Sequence, residues 1–210
     1  MSEAMTIPTL AQAEAFLAEA ATRNPGPWVQ HSRYVAQAAQ ALARHYPGLD
    51  ADAAYILGLL HDIGRREGVT GGRHALDGYR YLAEQGFWDA ARICMTHSFP
   101  VQDIHYMTGE WDCTSEELAF IARTLAEIVY TPYDRLIKLC DALALPSGFC
   151  LVEKRLVDVA LRYGTNEYTV KKWKAILQIQ RDFEQVLGCS IYSLLPGVVE
   201  NTFGVEILPS

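Results

Sequence analysis

The run Leu57-Gly58-Leu59-Leu60 is closed by an imidazole and a carboxylate, His61 and Asp62, and then by Ile63-Gly64-Arg65. An imidazole and a carboxylate in an apolar stretch lose their hydration unless each is hydrogen-bonded, paired or coordinated to a cation. Any fold that buries this run must therefore bring polar partners to it. Candidates of the right chemistry stand far apart in the chain, at His31, His74, His97 and Asp141, each in a segment that reads as helix. With the central pair they make four imidazoles and two carboxylates, a set that a metal ion satisfies.

The rest of the chain supplies helices to carry them. Of 210 residues 50% are hydrophobic, enough for one well-packed core, and a single compact all-α domain over residues 1–210 is expected. Thr9 to Thr22 reads as an Ala-rich opening helix, stopped by Asn24-Pro25-Gly26-Pro27. From Trp28 to His45, Val35, Ala38 and Leu42 follow His31 at spacings of four, seven and eleven, which puts His31 on the buried stripe. Asp50 caps the helix that leads to His61 and Asp62, with Gly64 as its terminator. A helix C-terminus carries partial negative charge and favours a nearby cation.

A glycine-containing loop, Glu67 to Arg73, opens a helix near His74, and a further helix from Phe87 to Ser98 carries His97. Thr114-x-x-Glu117 is a capping-box pattern, and Thr131-Pro132 starts the helix on which Asp141 faces inward with Ile137. Helices around Val152 to Arg162 and Tyr168 to Leu187 precede a tail read as irregular through Pro196-Gly197 to Ser210.

The charge of -7 gives no general attraction for nucleic acid or anionic membranes, so neither a nucleic acid polymer nor a membrane is expected as a partner. The basic group Lys171-Lys172-x-Lys174 around Trp173 is read as a solvated helix face. Five cysteines, Cys94, Cys113, Cys140, Cys150 and Cys189, include no C-x-x-C pair and point to reduced thiols in a cytoplasm. The N-terminus does not resemble an export signal. A homo-oligomer is left open.

The ordered set H…HD…H…H…D over roughly Trp28 to Leu145 resembles the HD superfamily of metal-dependent phosphohydrolases, and His61-Asp62-Ile63-Gly64 resembles its HDIG form. The resemblance implies an HD-type helical bundle with a core metal site, residues 146–210 forming C-terminal helices and tail. It implies that His31, His61, Asp62 and Asp141 hold one metal and that Asp62 bridges to a second held by His74 and His97. Such an imidazole-rich site suits iron or manganese, with zinc, nickel and cobalt as further options, better than magnesium. Asp62 and Arg65 are the candidate catalytic residues, Arg65 as a guanidinium able to fork onto a phosphate or to satisfy helix-end carbonyls.

Water acidified by two cations hydrolyses a phosphate ester or anhydride, so a small phosphorylated metabolite is the expected substrate. The same ligands occur in mixed-valent di-iron oxygenases of this superfamily, such as myo-inositol oxygenase, and a non-catalytic nucleotide-binding module is a third reading. Only eleven residues separate Asp62 from His74, fewer than in the family's dinucleoside polyphosphate hydrolases, and Asp77-Gly78-Tyr79-Arg80 stands in place of the HD-GYP signature. Lys138 is expected to pair with Asp134 or to reach substrate, His105 to lie at the surface, and Tyr34, Tyr79 and Tyr81 to serve as core or rim aromatics.

Overall fold

In the computed structural model, which describes residues 5–205, the chain is all-α apart from one small hairpin. Helix α1 (Leu10–Arg23) starts at a capping box in which Thr9 accepts from the Gln12 N–H while the Gln12 side chain accepts from Thr9. Pro27 occupies the first turn of α2 (Pro27–Ala43), where its missing N–H costs nothing. Asp50 caps α3 (Ala51–Leu60) through a 2.7 Å bond from Ala53 N–H. A Cβ on Gly58 would lie 2.8 Å from the Ala36 Cα, so glycine lets α3 press backbone to backbone on the Ala-rich face of α2.

After His61 and Asp62 the chain tightens into a 3-10 turn, Ile63–Glu67, and then forms α4 (Arg73–Glu84) and α5 (Trp88–Thr96). A Cβ on Gly64 would sit 2.0 Å from the His74 carbonyl oxygen and 2.4 Å from Gly78 N. Only glycine at position 64 lets this turn lie against α4. The bundle continues with α6 (Ser115–Glu127) and α7 (Pro132–Asp141). Thr114 and Glu117 form the expected capping box, and Glu117 also takes ion pairs from Arg73 and Arg80, both at 2.8 Å, tying α6 to α4.

Past α7 the chain makes a two-stranded antiparallel hairpin, β1 (Ala144–Leu145) with β2 (Gly148–Phe149), then α8 (Val152–Tyr163), α9 (Thr169–Leu187) and α10 (Val198–Phe203). The hairpin has no sequence expectation behind it. The tail read as irregular is instead helical at Ile191–Leu194 and Val198–Phe203, with residues 206–210 outside the described part. Six residues are too few to show a helical period. Hydrogen bonds to the hairpin and to the residue before α8 hold α10, with Asn201 donating to Phe149 O and Thr202 accepting from Leu151 N–H.

The main core runs through α1, α2, α3, α5 and α7 and takes in Leu156, Ile176, Ile179 and Phe183 from α8 and α9. A smaller cluster, Leu76, Met95, Phe99, Met107, Ile121 and Leu125, lies under the segment between α5 and α6. Tyr34, Tyr79 and Tyr81 pack against Phe149, Phe120 and Phe16 as structural aromatics. All five cysteines are free, three of them buried. Among the described residues no helix is long and apolar enough to cross a membrane.

Candidate metal centre

Three helix C-termini point at one place. His61 and Asp62 follow the last residue of α3, His97 follows α5, and Asp141 is the last residue of α7. Each end contributes unsatisfied carbonyls and hence partial negative charge. His31 comes from the second turn of α2 and His74 from the first turn of α4. All four imidazoles and Asp62 are buried, while Asp141 is partly open to the pocket above.

One local device sets three of the imidazoles. His61 Nδ1 donates to Gly58 O at 2.7 Å, His74 Nδ1 to Gly71 O at 2.5 Å and His97 Nδ1 to Cys94 O at 2.8 Å, in each case the carbonyl three residues earlier. With the proton on Nδ1, Nε2 presents its lone pair inward, as a metal ligand requires. His74 Nε2 and His97 Nε2 face one another at 3.3 Å and lie 3.3 and 3.5 Å from Asp62 Oδ1. Neither nitrogen has a proton for its neighbour or for the carboxylate, so the arrangement is repulsive until a cation enters. Ser98 Oγ, 2.9 Å from His97 Nε2, offers that ring a partial substitute.

On the other side of the site His31 Nε2 stands 3.0 Å from Asp141 Oδ1 without forming a hydrogen bond, and His31 Nδ1, His61 Nε2 and Asp62 Oδ1 are likewise buried without partners. Such orphaned atoms are costly in a folded interior. The ligand atoms of His31, His61 and Asp141 lie within 4.8 Å of one another, as do those of His61, Asp62 and His97. Two clusters that could hold a divalent metal thus adjoin at His61.

Protonation agrees with this chemistry. Burial pushes the His61 imidazole down to about 4, and burial together with the Arg65 charge pushes His74 down to about 3, so both rings are neutral at pH 7. Burial works against ionising Asp62 and Asp141, but the Arg65 guanidinium holds Asp62, and the close His31 ring together with the Arg155 charge holds Asp141, well below the usual carboxylate range. Arg65 donates from Nε to Asp62 Oδ2 at 2.6 Å, which leaves Oδ1 turned toward His74 and His97.

A pocket opens directly over these side chains. Its floor is Asp62, Arg65, His74, His97, Lys138 and Asp141, and much of its wall comes from α8 and α9: Arg155, Val159, Lys172, Trp173 and Ile176. Arg155 donates to both the side chain and the backbone oxygen of Asp141, at 3.2 and 3.3 Å, and so closes the end of α7.

One open alternative is narrowed and one expectation is corrected by these contacts. Lys138 makes no ion pair with Asp134, whose carboxylate is taken by Arg92 and Thr96. The ammonium instead reaches the Asp134 backbone oxygen at 3.3 Å and sits 3.4 Å from the Tyr130 ring centroid, its pKa pushed down to about 7 by burial. Nor does the basic group on α9 form a uniformly solvated face. Lys171 and Lys174 are exposed, but Lys172 turns into the pocket, bonds Thr108 Oγ1 at 3.0 Å and has its pKa pushed down to about 8 by burial.

Sequence reasoning thus missed Arg155 and Lys172, and the signal for Lys172 was present. Ile176, Ile179 and Phe183 follow it at four, seven and eleven, the same spacings that placed His31 on a buried stripe. His105 is exposed, as expected, and pairs with Asp103 away from the main pocket.

Comparison with known proteins gave a match to the model of the HD domain over residues 28–145. Neither the curated proteins nor the solved structures gave a match. The matched segment begins at α2, which carries His31, and ends just past Asp141, so it spans more than half of the chain and every one of the six converging side chains. On that ground the chain belongs to the HD domain family.

Proposed function

We propose that the protein is a metal-dependent phosphohydrolase acting on a small phosphorylated metabolite. The observation that carries this reading is the set of inward-facing lone pairs at His61, His74 and His97 beside ionised Asp62 and Asp141, on the floor of a pocket with a cationic wall. The HD family consists mostly of metal-dependent phosphohydrolases, which supports the reaction class.

In this reading His31, His61, Asp62 and Asp141 hold one divalent ion, and Asp62, His74 and His97 hold a second. The imidazole-rich donor set favours iron or manganese over magnesium. When bound, such ions supply the Lewis acidity that polarises a phosphoryl oxygen and acidifies water at neutral pH.

The protein's own groups do the rest. The three backbone carbonyls behind His61, His74 and His97 keep the rings in one tautomer and orientation. Arg65, fixed by Asp62 through Nε, has further N–H donors for a phosphate oxygen. Arg155 steadies Asp141, and the apolar side chains of α8 and α9 restrict water over the floor. The unpaired set of cysteines accords with action in the cytoplasm.

The test is metal analysis of the purified chain, followed by phosphate release from a panel of nucleotides and sugar phosphates with added manganese. Metal-dependent release is expected. Oxygen uptake with a diol or a phosphonate, together with no phosphate release, would replace the hydrolase with a di-iron oxygenase.

A further inference from the structure

Five cationic side chains line the pocket, and they differ in what neutralises them. Arg65 is paired with Asp62, Arg155 with Asp141 and Asp158, and Arg162 with Asp158. Among the described residues Lys138 and Lys172 have no carboxylate at ion-pair distance. Lys138 is cushioned by a backbone carbonyl and the face of Tyr130. Lys172 has only the Thr108 hydroxyl. A half-buried ammonium with one neutral partner has given up part of its hydration for little return, and an anion joining it restores the balance. Beside it the wall is apolar, formed by Leu156, Val159, Ala160, Trp173 and Ile176. A second anionic group lying against these side chains would lose hydration without meeting a cation that lacks a carboxylate, since Arg155 and Arg162 on the same wall are already paired.

We propose that Lys172 binds the substrate's phosphate and that the adjoining wall of α8 and α9 receives an uncharged, apolar or aromatic body, so that the substrate is a phosphate monoester of that kind rather than a polyphosphate. This assignment rests on the phosphohydrolase reading for its chemistry. It concerns residues beyond the segment matched by the HD domain, so the recognition half of the pocket belongs to this chain's own C-terminal helices.

Calorimetric titration of the full chain, metal-free and manganese-loaded, with phenyl phosphate, inorganic phosphate and tripolyphosphate tests it. Phenyl phosphate should bind more tightly than tripolyphosphate. Lys172→Ala should weaken phenyl phosphate roughly tenfold or more, the usual loss for a charge-assisted hydrogen bond, while Lys172→Arg stays within about threefold. Val159→Asp should weaken phenyl phosphate far more than inorganic phosphate. Thr108→Val, which removes only the hydroxyl that steadies Lys172, should weaken both slightly, and it carries the test if melting curves show that Lys172→Ala does not fold.

Equal affinity in wild type and Lys172→Ala, no binding of phenyl phosphate by wild type in either metal state, or a preference for tripolyphosphate would overturn the proposal. Failure of the hydrolase reading looks different: Lys172-dependent binding with no phosphate release in manganese would leave this site standing and remove the reaction. Phosphate release with a KM indifferent to Lys172→Ala would do the reverse.

Discussion

The floor of the pocket and its outer wall come from different stretches of the chain and are unbalanced in opposite senses. The floor, from His31 to Asp141, gathers four imidazoles, His61 and His74 among them neutral, and two ionised carboxylates, an arrangement suited to cations. The wall, from Arg155 to Ile176, carries guanidinium groups that are already paired and one ammonium that is not, an arrangement with room for an anion. A metal with a phosphate satisfies both halves at once. Where the floor is built of residue types that few chemistries other than metal ligation require together, the wall is built of ordinary arginine, lysine and aliphatic side chains. In the proposed reading the first sets the reaction class and the second the substrate.

Breaking the floor should have the largest effect. Asp62→Ala is expected to lower phosphate release by about a thousandfold or more and to abolish metal retention while sparing helicity, as measured by turnover, elemental analysis and circular dichroism. Gly64→Ala comes next: its methyl group would overlap the His74 carbonyl, so a loss of about 3 kcal/mol is expected in denaturant unfolding, with weaker metal retention because α4 must move.

Stability of the metal-stripped protein should depend on pH for a stated reason. His61 and His74 have folded pKa values of about 4 and about 3, below the ordinary 6.5, so the unfolded chain binds protons that the folded chain refuses. Stability is therefore expected to fall as pH drops from 6.5 toward 4, by an amount on the order of a few kcal/mol, and loaded metal should suppress the change.

Smaller again is the tie between α6 and α4. Glu117 is held down at about 2 by the Thr114 backbone N–H and by Arg80 and Arg73, so its contribution is present above pH 4.5 and lost as pH falls toward 2. Glu117→Gln should lower the melting temperature near neutral pH and converge with wild type in acid. On the wall the smallest effect is a contrast: Lys171→Ala and Lys174→Ala, both at exposed positions, should change stability by less than about 0.5 kcal/mol and leave KM alone, unlike their neighbour Lys172.

The same contrast explains what could be read in advance. Helices were legible because proline, glycine and capping residues punctuate them, as at Asn24 to Pro27 and at Thr114 with Glu117. The six converging side chains were legible because histidine and aspartate on buried stripes are conspicuous. The hairpin at Ala144 to Phe149 and the helix at Val198 were not, since each is too short to carry a period and depends on hydrogen bonds between segments. Lys172 was hidden by its neighbours: between exposed Lys171 and Lys174 it looked like part of a solvated face, although its spacing to Ile176, Ile179 and Phe183 marked the inner stripe. Arg155 gave no such signal, because its partner Asp141 lies on another helix.

The central claim is that the clustered histidines and aspartates hold divalent metal and that hydrolysis depends on it. The most direct measurement is metal content per chain, read beside phosphate release, for wild type and Asp62→Ala prepared in parallel and supplied with manganese. The account predicts between one and two ions per wild-type chain with hydrolysis, and loss of both in the variant. Full hydrolysis by metal-free protein, or a wild-type chain that takes up no transition metal when it is offered, would contradict it.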